Sequence, residues 1–212
     1  MEKILFVTWL GVVAAQIAPG PNFFAVASVA LSQGRKGATY VAAGVATGVI
    51  VWAMAFAFGL SSLFNAFPQA SVFLQLMGGI YLLVLAFNAL VSAFRFEHSQ
   101  VKAARQFLVP KMAYRRGLFV VLTNPKAALM WAAVAAFMLG SGLTWSALVV
   151  FAPIASLSAF IIYGSYGWLF STAKAQQLYS KLSTLFECMF ALMFGALGGK
   201  LLYESVVRFN NQ

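Results

Sequence analysis

Prolines and asparagines interrupt two apolar stretches of the sequence at related positions. The first stretch contains Pro19-Gly20-Pro21-Asn22, and the second contains Asn124-Pro125-Lys126. A proline within a helix removes one backbone hydrogen bond and leaves the carbonyl four residues earlier without its donor. Bare lipid does not tolerate such a carbonyl, so it must lie within protein or beside a water-filled cavity. The two interruptions therefore predict polar main-chain groups at a buried binding site.

Each interruption is expected to offer groups of both polarities to a ligand. The N–H groups that begin the next helix, near 22–24 and 126–128, would attract a carboxylate. Side-chain amides at Asn22 and Asn124 both donate and accept hydrogen bonds. The carbonyls released upstream would accept hydrogen bonds from an ammonium group, and they belong to Ala15, Ile17 and Val121. Alternatively, each proline only kinks its helix and the asparagines replace the lost bonds.

The composition indicates an all-α membrane protein. Of the 212 residues, 62% are hydrophobic and only 8% are charged, whereas soluble domains are about half apolar. One helical crossing takes about 20 apolar residues, so the chain has room for about six crossings and no separate soluble domain. We expect a single transmembrane domain over 1–212, with spans near 4–31, 38–64, 72–94, 117–139, 146–170 and 182–206.

The charges of the connections predict how these spans are oriented. Lys and Arg lie in the first, third and fifth connections, at about 32–37, 95–116 and 171–181, whereas the second and fourth carry no charge. Cytoplasmic loops are enriched in Lys and Arg, so both termini are expected outside the cytoplasm. Three spans per half then give a 3+3 inverted repeat with broken helices 1 and 4. Repeat one covers about 1–104 and repeat two about 105–212.

Two charged residues are expected at membrane depth. Lys126 lies roughly 15 Å along span four, where its ammonium would attract a carboxylate or extend to the cytoplasmic surface. Glu187, near the start of span six, is the candidate for carrying a coupling proton, since burial raises the pKa of a carboxyl group toward neutrality. A static ion pair between Glu187 and Lys126 is the alternative.

Several classes of function lack the residues that they need. The sequence has no aspartate and a single histidine, His98, so neither a metal site nor a catalytic site is expected. It contains no nucleotide-binding glycine motif, and its basic residues flank apolar runs instead of forming a nucleic-acid surface. We therefore expect no cofactor, no enzymatic activity and no nucleic-acid partner. Gly44 with Gly48, and Gly195 with Gly199, form G-x-x-x-G motifs that serve helix packing or, alternatively, a homodimer.

Five segments of the sequence resemble the LysE/RhtB family of amino-acid exporters, and together they extend over most of the chain. They are Ala18-Pro19-Gly20-Pro21-Asn22-Phe23, Gln33-Gly34-Arg35-Lys36-Gly37, Gly44-x-x-x-Gly48, Gly78-Gly79-x-Tyr81-Leu82 and Leu122-Thr123-Asn124-Pro125-Lys126-Ala127. The resemblance implies a carrier of the bacterial inner membrane that exports amino acids in exchange for protons or another ion. The substrate-binding residues would then be Pro19, Gly20, Pro21, Asn22, Phe23, Asn124, Pro125 and Lys126.

The missing aspartates distinguish this sequence from relatives that export lysine or arginine, which tend to carry aspartates in these membrane segments. A cationic substrate side chain would remain unpaired in the bilayer, at a high free-energy cost. A neutral or small polar amino acid is therefore the expected substrate. An exporter of another small solute and a non-transporting membrane scaffold are the alternatives.

Overall fold

The part of the protein that the structure describes is predominantly helical. This computed structural model describes residues 2–66, 70–94 and 107–172, together with helical residues between 184 and 207. We call the latter the C-terminal segment, and it comprises 184–185, 188–189, 191–192, 194–196, 198–200, 202–203 and 205–207. The continuous helices are α1 (Glu2–Ile17), α2 (Pro21–Ala66), α3 (Ala70–Phe94), α4 (Pro110–Thr123), α5 (Pro125–Gly140) and α6 (Trp145–Leu169).

A helix break lies at each of the two proline positions. α1 ends at Ile17 and α2 begins at Pro21, while α4 ends at Thr123 and α5 begins at Pro125. Between α4 and α5, Asn124 is extended, with φ of −79° and ψ of 109°. Both downstream helices start with proline because the first helical residue has no use for its N–H group, and the fixed φ suits the helix.

Two predicted connections differ from the structure. The first, expected at 32–37, is reduced to Gly34, which interrupts α2 with φ of 70° and ψ of −166°. Glycine adopts this left-handed φ without steric penalty, so a single residue separates the segments 21–33 and 35–66. The helix of the fourth span begins at Pro110, earlier than the predicted start at 117, because proline favours the first helical position. The third connection is correspondingly shorter.

The described helices include clear membrane-spanning candidates. Pro21–Gly59 and Trp145–Leu169 are each long and apolar enough to cross a bilayer. The pair Pro110–Thr123 and Lys126–Gly140, bent by 59° at the break, counts as a third if it forms one span. Large apolar side chains are exposed on the outer surface, among them Phe87, Phe119, Val150 and Leu157. Such a surface suits contact with lipid tails.

Small residues allow the helices to pack closely. α2 contacts α6 and α4 most extensively, and α3 packs on α5. Alanine and valine dominate the buried positions, and a second cluster around Ala15, Leu82 and Phe194 joins α1, α3 and the C-terminal segment. Helix packing in lipid depends on such short side chains because they bring the backbones together.

The Gly44–Gly48 motif serves packing within the chain. A methyl group on Gly44 would meet the carbonyl of Tyr114 in α4, and one on Gly48 would meet the side chain of Val121. From the opposite side, Gly117 faces the carbonyl of Val41. This glycine surface is therefore occupied inside the protein, and a homodimer would have to use another surface.

Gly44→Ala is expected to destabilise the protein by about 1–3 kcal/mol, because its methyl group would collide with the backbone of α4. Gly59→Ala is the matched control on the same helix, since no atom lies within 4 Å of the added methyl group. Thermal unfolding in detergent measures both variants. Equal melting temperatures for the two would contradict the close approach of α2 and α4.

Candidate functional site

Residues of both helix breaks line one small cavity. Its walls come from α1, α2, α4, α5 and α6, and its volume is about 20 Å³, which is room for about one ordered water molecule. The polar side chains that line it are Gln16, Asn22, Asn124, Lys126, Trp131 and Tyr163. The structure thus brings four of the predicted site residues, Gly20, Asn22, Asn124 and Lys126, to a common space.

A chain of hydrogen bonds joins the two breaks through their asparagines. The side-chain Nδ2 of Asn124 donates to Oδ1 of Asn22 at 3.1 Å. Nδ2 of Asn22 donates in turn to the hydroxyl of Tyr163 in α6, at 3.4 Å. Asn124 also caps α5, since its Oδ1 accepts the backbone N–H of Lys126 at 3.0 Å. Both asparagines are buried, so these contacts fix the breaks relative to each other.

Lys126 reaches from the second break to the first. Its Nζ donates to the carbonyl of Ala18 at 3.0 Å and to that of Pro19 at 3.4 Å. It also lies 5.8 Å from the centre of the Phe194 ring. The last carbonyls of a helix lack partners and carry the negative end of the helix dipole, so a cation is stabilised there. The ammonium of Lys126 therefore stabilises the end of the first break in this structure.

Neighbouring side chains already satisfy two of the carbonyls released by proline. The hydroxyl of Tyr166 donates to the carbonyl of Ile17 at 2.7 Å. The indole Nε1 of Trp52 donates to that of Val121 at 3.0 Å. Pro19 likewise removes the helical donor of the Ala15 carbonyl, and within the described residues no side chain donates to it. Three carbonyls were predicted to accept an ammonium group. Only that of Ala15 has no hydrogen-bond donor among the described residues.

The helix N-termini at the breaks are also largely occupied. In α5, the N–H groups of Ala127 and Ala128 bond to the carbonyl of Asn124 at 3.0 and 3.1 Å. In α2, the N–H of Phe24 bonds to the carbonyl of Gly20 at 3.0 Å. The N–H groups at 126–128, predicted to attract a carboxylate, are therefore hydrogen-bonded within the protein in this structure.

The other predicted site residues have different positions. Gly20 lines the cavity, and a methyl group placed on it would lie 3.5 Å from Cδ and Nζ of Lys126. Phe23 is buried among aromatic rings, with its ring centre 5.0 Å from that of Tyr166, and it is not among the cavity-lining residues.

The predicted prolines act through the backbone. Pro19 contributes a carbonyl that accepts a hydrogen bond from Lys126, whereas Pro21 and Pro125 begin helices. Glu187 lies outside the described residues.

Three polar lining residues, Gln16, Trp131 and Tyr163, were not predicted from the sequence. Gln16 is buried and bonds α1 to α6, donating to the carbonyl of Ala155 at 3.0 Å and accepting the hydroxyl of Ser158 at 2.9 Å. A lone amide in an apolar span, close to Pro19, is a signal that could have identified it. Trp131 is fully buried, and its Nε1 has no hydrogen-bond partner among the described residues. Tryptophans are common in membrane helices, so no sequence signal distinguishes this one.

Discontinuous helices that meet at polar side chains inside an apolar helical protein define a class of membrane translocation proteins. Residues 13–205 match the family model described as LysE type translocator, and the chain belongs to this family. No solved structure matches the chain.

Three relatives with similar sequences align with this chain, two of them over most of its length and one over more than half. A Haemophilus influenzae protein named as an uncharacterized membrane protein is 30% identical over 89% of this chain and 90% of its own length. The threonine efflux protein of Escherichia coli K12 is 28% identical over 88% of this chain and 91% of its own length. The leucine efflux protein of Salmonella choleraesuis is 32% identical over 58% of this chain and 57% of its own length. The protein is thus similar to two named amino-acid efflux proteins.

Tyr166→Phe is expected to lower the free energy of unfolding by about 1–3 kcal/mol, because the carbonyl of Ile17 would lose the donor that replaces its helical partner. Tyr203→Phe is the matched control, since Tyr203 is 72% exposed. Thermal or denaturant unfolding in detergent measures both. A Tyr166→Phe variant as stable as the control would show that this hydroxyl does not stabilise the first break.

Proposed function

We propose that this protein is a secondary active exporter of neutral amino acids in the bacterial inner membrane. The observation that carries the proposal is the cavity between the joined breaks. Lys126, Trp131 and Ala15 line it, and the indole N–H of Trp131 has no hydrogen-bond partner among the described residues. These groups are complementary to the carboxylate and the ammonium of a free amino acid. Family membership and the names of the efflux relatives support the same function.

The carboxylate would bind between Nζ of Lys126 and Nε1 of Trp131. Both side chains lie on α5 and line the same cavity. Hydrogen bonds to a charged partner are about twice as strong as neutral ones, so this arrangement favours a carboxylate over an uncharged group. The ammonium would donate to the carbonyl of Ala15, on the facing wall. The carboxylate would thereby give Nε1 of Trp131 a hydrogen-bond acceptor.

Binding must open the cavity, because about 20 Å³ holds about one water molecule and not an amino acid. Lys126 is the side chain placed to move, since its ammonium donates to the carbonyls of Ala18 and Pro19 in this structure. If Lys126 turns toward the incoming carboxylate, those carbonyls become acceptors for the substrate ammonium. One cation then replaces another, so the helix end keeps its positive partner throughout the exchange.

A neutral substrate fits the charges better than a cationic one. The described residues that line the cavity carry one ammonium and no carboxylate. A lysine or arginine substrate would bring an additional positive charge, which costs several kcal/mol when it is unpaired at membrane depth. The efflux relatives are named for threonine and leucine, which have uncharged side chains.

The architecture proposed for transport is a 3+3 inverted repeat of six transmembrane helices with broken helices 1 and 4. The matching breaks at 18–20 and 124 support it, as do the basic residues in alternate connections. Repeats 1–104 and 105–212 would rock about the cavity that their breaks enclose, exposing it to one side at a time. With basic loops in the cytoplasm, both termini would lie outside it.

Glu187 is the proposed site of proton coupling. Because the sequence has only four acidic residues and no aspartate, few carboxylates are available, and Glu187 is the one expected within the bilayer away from its outer surface. A proton carried inward by this carboxyl group would supply the energy for export. A permanent ion pair with Lys126 is the competing role for the same residue.

Lys126→Gln is expected to weaken the apparent affinity for the exported amino acid by about 10- to 150-fold, since a charge-assisted hydrogen bond contributes about 1.5–3 kcal/mol. Trp131→Phe is expected to weaken it by about 10-fold, because the ring is retained and only the N–H is lost. Efflux of labelled leucine and threonine from proteoliposomes gives both affinities.

Lys36→Gln and Trp145→Phe are the matched controls, because both residues are exposed. Leucinamide, which lacks the carboxylate, provides a second comparison as a competitor. The wild type should prefer leucine over leucinamide, and Lys126→Gln should lose that preference. Wild-type affinity and preference in both site variants would contradict the proposed carboxylate site.

Glu187→Gln is expected to abolish efflux driven by a pH gradient while preserving exchange of labelled for unlabelled amino acid. The neutral amide keeps the shape of the side chain but cannot release a proton. Glu2→Gln is the control, since Glu2 is exposed near the chain terminus. Counterflow and gradient-driven efflux in the same vesicles separate the two activities. Undiminished gradient-driven efflux in Glu187→Gln would exclude this residue as the proton carrier.

A further inference from the structure

A second cavity, of about 90 Å³, adjoins the one between the breaks. The two cavities share Ala15 of α1 and Met130 of α5 in their walls. From these residues the second cavity extends along one face of each helix. It passes Val12, Gly11 and Thr8 on α1, and Ala133, Val134 and Phe137 on α5.

The walls of this second cavity are almost entirely apolar. Leu82 and Phe194 complete the hydrocarbon lining. The hydroxyl of Thr8 is engaged, since it donates to the carbonyl of Ile4 at 2.7 Å, and Lys200 is exposed. A zwitterion would lose its hydration here and gain few hydrogen bonds, so the cavity does not suit the charged end of an amino acid. It does suit hydrocarbon, which gains free energy on leaving water.

We propose that this cavity binds the side chain of the transported amino acid and makes the carrier selective for aliphatic side chains of about three to four carbons. The inference rests on the proposed function. With the carboxylate at Lys126 and Trp131 and the ammonium at the Ala15 carbonyl, the α-carbon lies at the junction of the two cavities. The side chain then passes between Ala15 and Met130, where the flexible methionine can adjust to its shape.

The volume of the second cavity in this structure favours small side chains. An apolar cavity of about 150 Å³ is known to accept benzene, and 90 Å³ is clearly smaller. An aromatic side chain therefore does not fit without displacing the wall. A propyl or isobutyl group fills the space without leaving a large void, so norvaline and leucine are the best-matched substrates.

Competition against labelled leucine efflux tests the proposal in the wild-type protein. Alanine, 2-aminobutyrate, norvaline and leucine form a series in which each side chain has one more carbon than the one before. Each added carbon should tighten apparent binding by about 4-fold, because burying one methylene contributes about 0.8 kcal/mol. Phenylalanine should reverse the trend. Valine should compete better than threonine of similar shape, by up to about 100-fold.

Substitutions in the wall provide the second arm. Ala133→Val fills part of the cavity and should weaken leucine binding selectively, leaving that of alanine within about 2-fold. Ala132→Val is the matched control, because Ala132 is the neighbouring residue on α5 and lines neither cavity. Phe137→Ala enlarges the cavity and should admit phenylalanine as a competitor.

The outcomes separate this inference from the proposed function. If leucine is exported but apparent affinity does not change along the series, the side-chain site is wrong and the amino-acid exporter stands. The same conclusion follows if Ala133→Val and Ala132→Val have equal effects on leucine and alanine. If no amino acid in the series competes or is exported, the proposed function itself fails, and this inference fails with it.

Discussion

The structure depends on replacing the hydrogen bonds that proline removes inside an apolar helical protein. Pro21 and Pro125 leave the carbonyls of Ile17 and Val121 without helical donors, and an unsatisfied group in hydrocarbon costs several kcal/mol. Tyr166 supplies the first replacement from α6, and Trp52 supplies the second from α2. Because each donor belongs to another helix, each break has to lie against a particular neighbour. The need for these donors therefore determines where each break lies relative to the neighbouring helices.

Once the breaks are held in place, their own polar residues bind each other. Asn22 and Asn124 form a direct hydrogen bond, and Lys126 donates to two carbonyls at the end of the first break. The bond between Asn22 and Asn124 joins two side-chain amides that the proposed substrate does not contact. The lysine contacts, in contrast, connect an ammonium to carbonyls that a substrate ammonium can also use. The site thus combines a fixed link with an exchangeable one, which suits a protein that must bind a substrate and release it.

Much of this arrangement could be predicted from the sequence, because the signals are local. Apolar runs separated by charged connections indicate the helices, and proline placed beside glycine or asparagine indicates the breaks. Asn22, Asn124 and Lys126 follow from the same motifs. Gly34 lies at a predicted connection, but its left-handed φ shows that one residue replaces the expected loop of six positions at 32–37.

The remaining features depend on how the helices are rotated against one another, which local signals do not reveal. The sequence could not show that Tyr166 and Trp52 occupy the released carbonyls, since both residues are distant along the chain from the breaks. It also could not show that Phe23 packs among aromatic rings while Trp131 lines the cavity. Gln16 is the exception, because a lone amide beside a helix break is visible in the sequence alone.

The most direct test of the central claim is the reactivity of a cysteine placed at the first break. Cys188→Ser removes the only native cysteine, and Gly20→Cys in this background would place its Cβ 3.5 Å from Nζ of Lys126, an ordinary van der Waals distance. A small water-soluble thiol reagent should modify this cysteine, and saturating leucine should slow the reaction several-fold. Gly59→Cys, on an exposed helix surface, should show no such protection. Failure of leucine to protect a reactive Gly20→Cys in a transporting protein would contradict a binding site between the breaks.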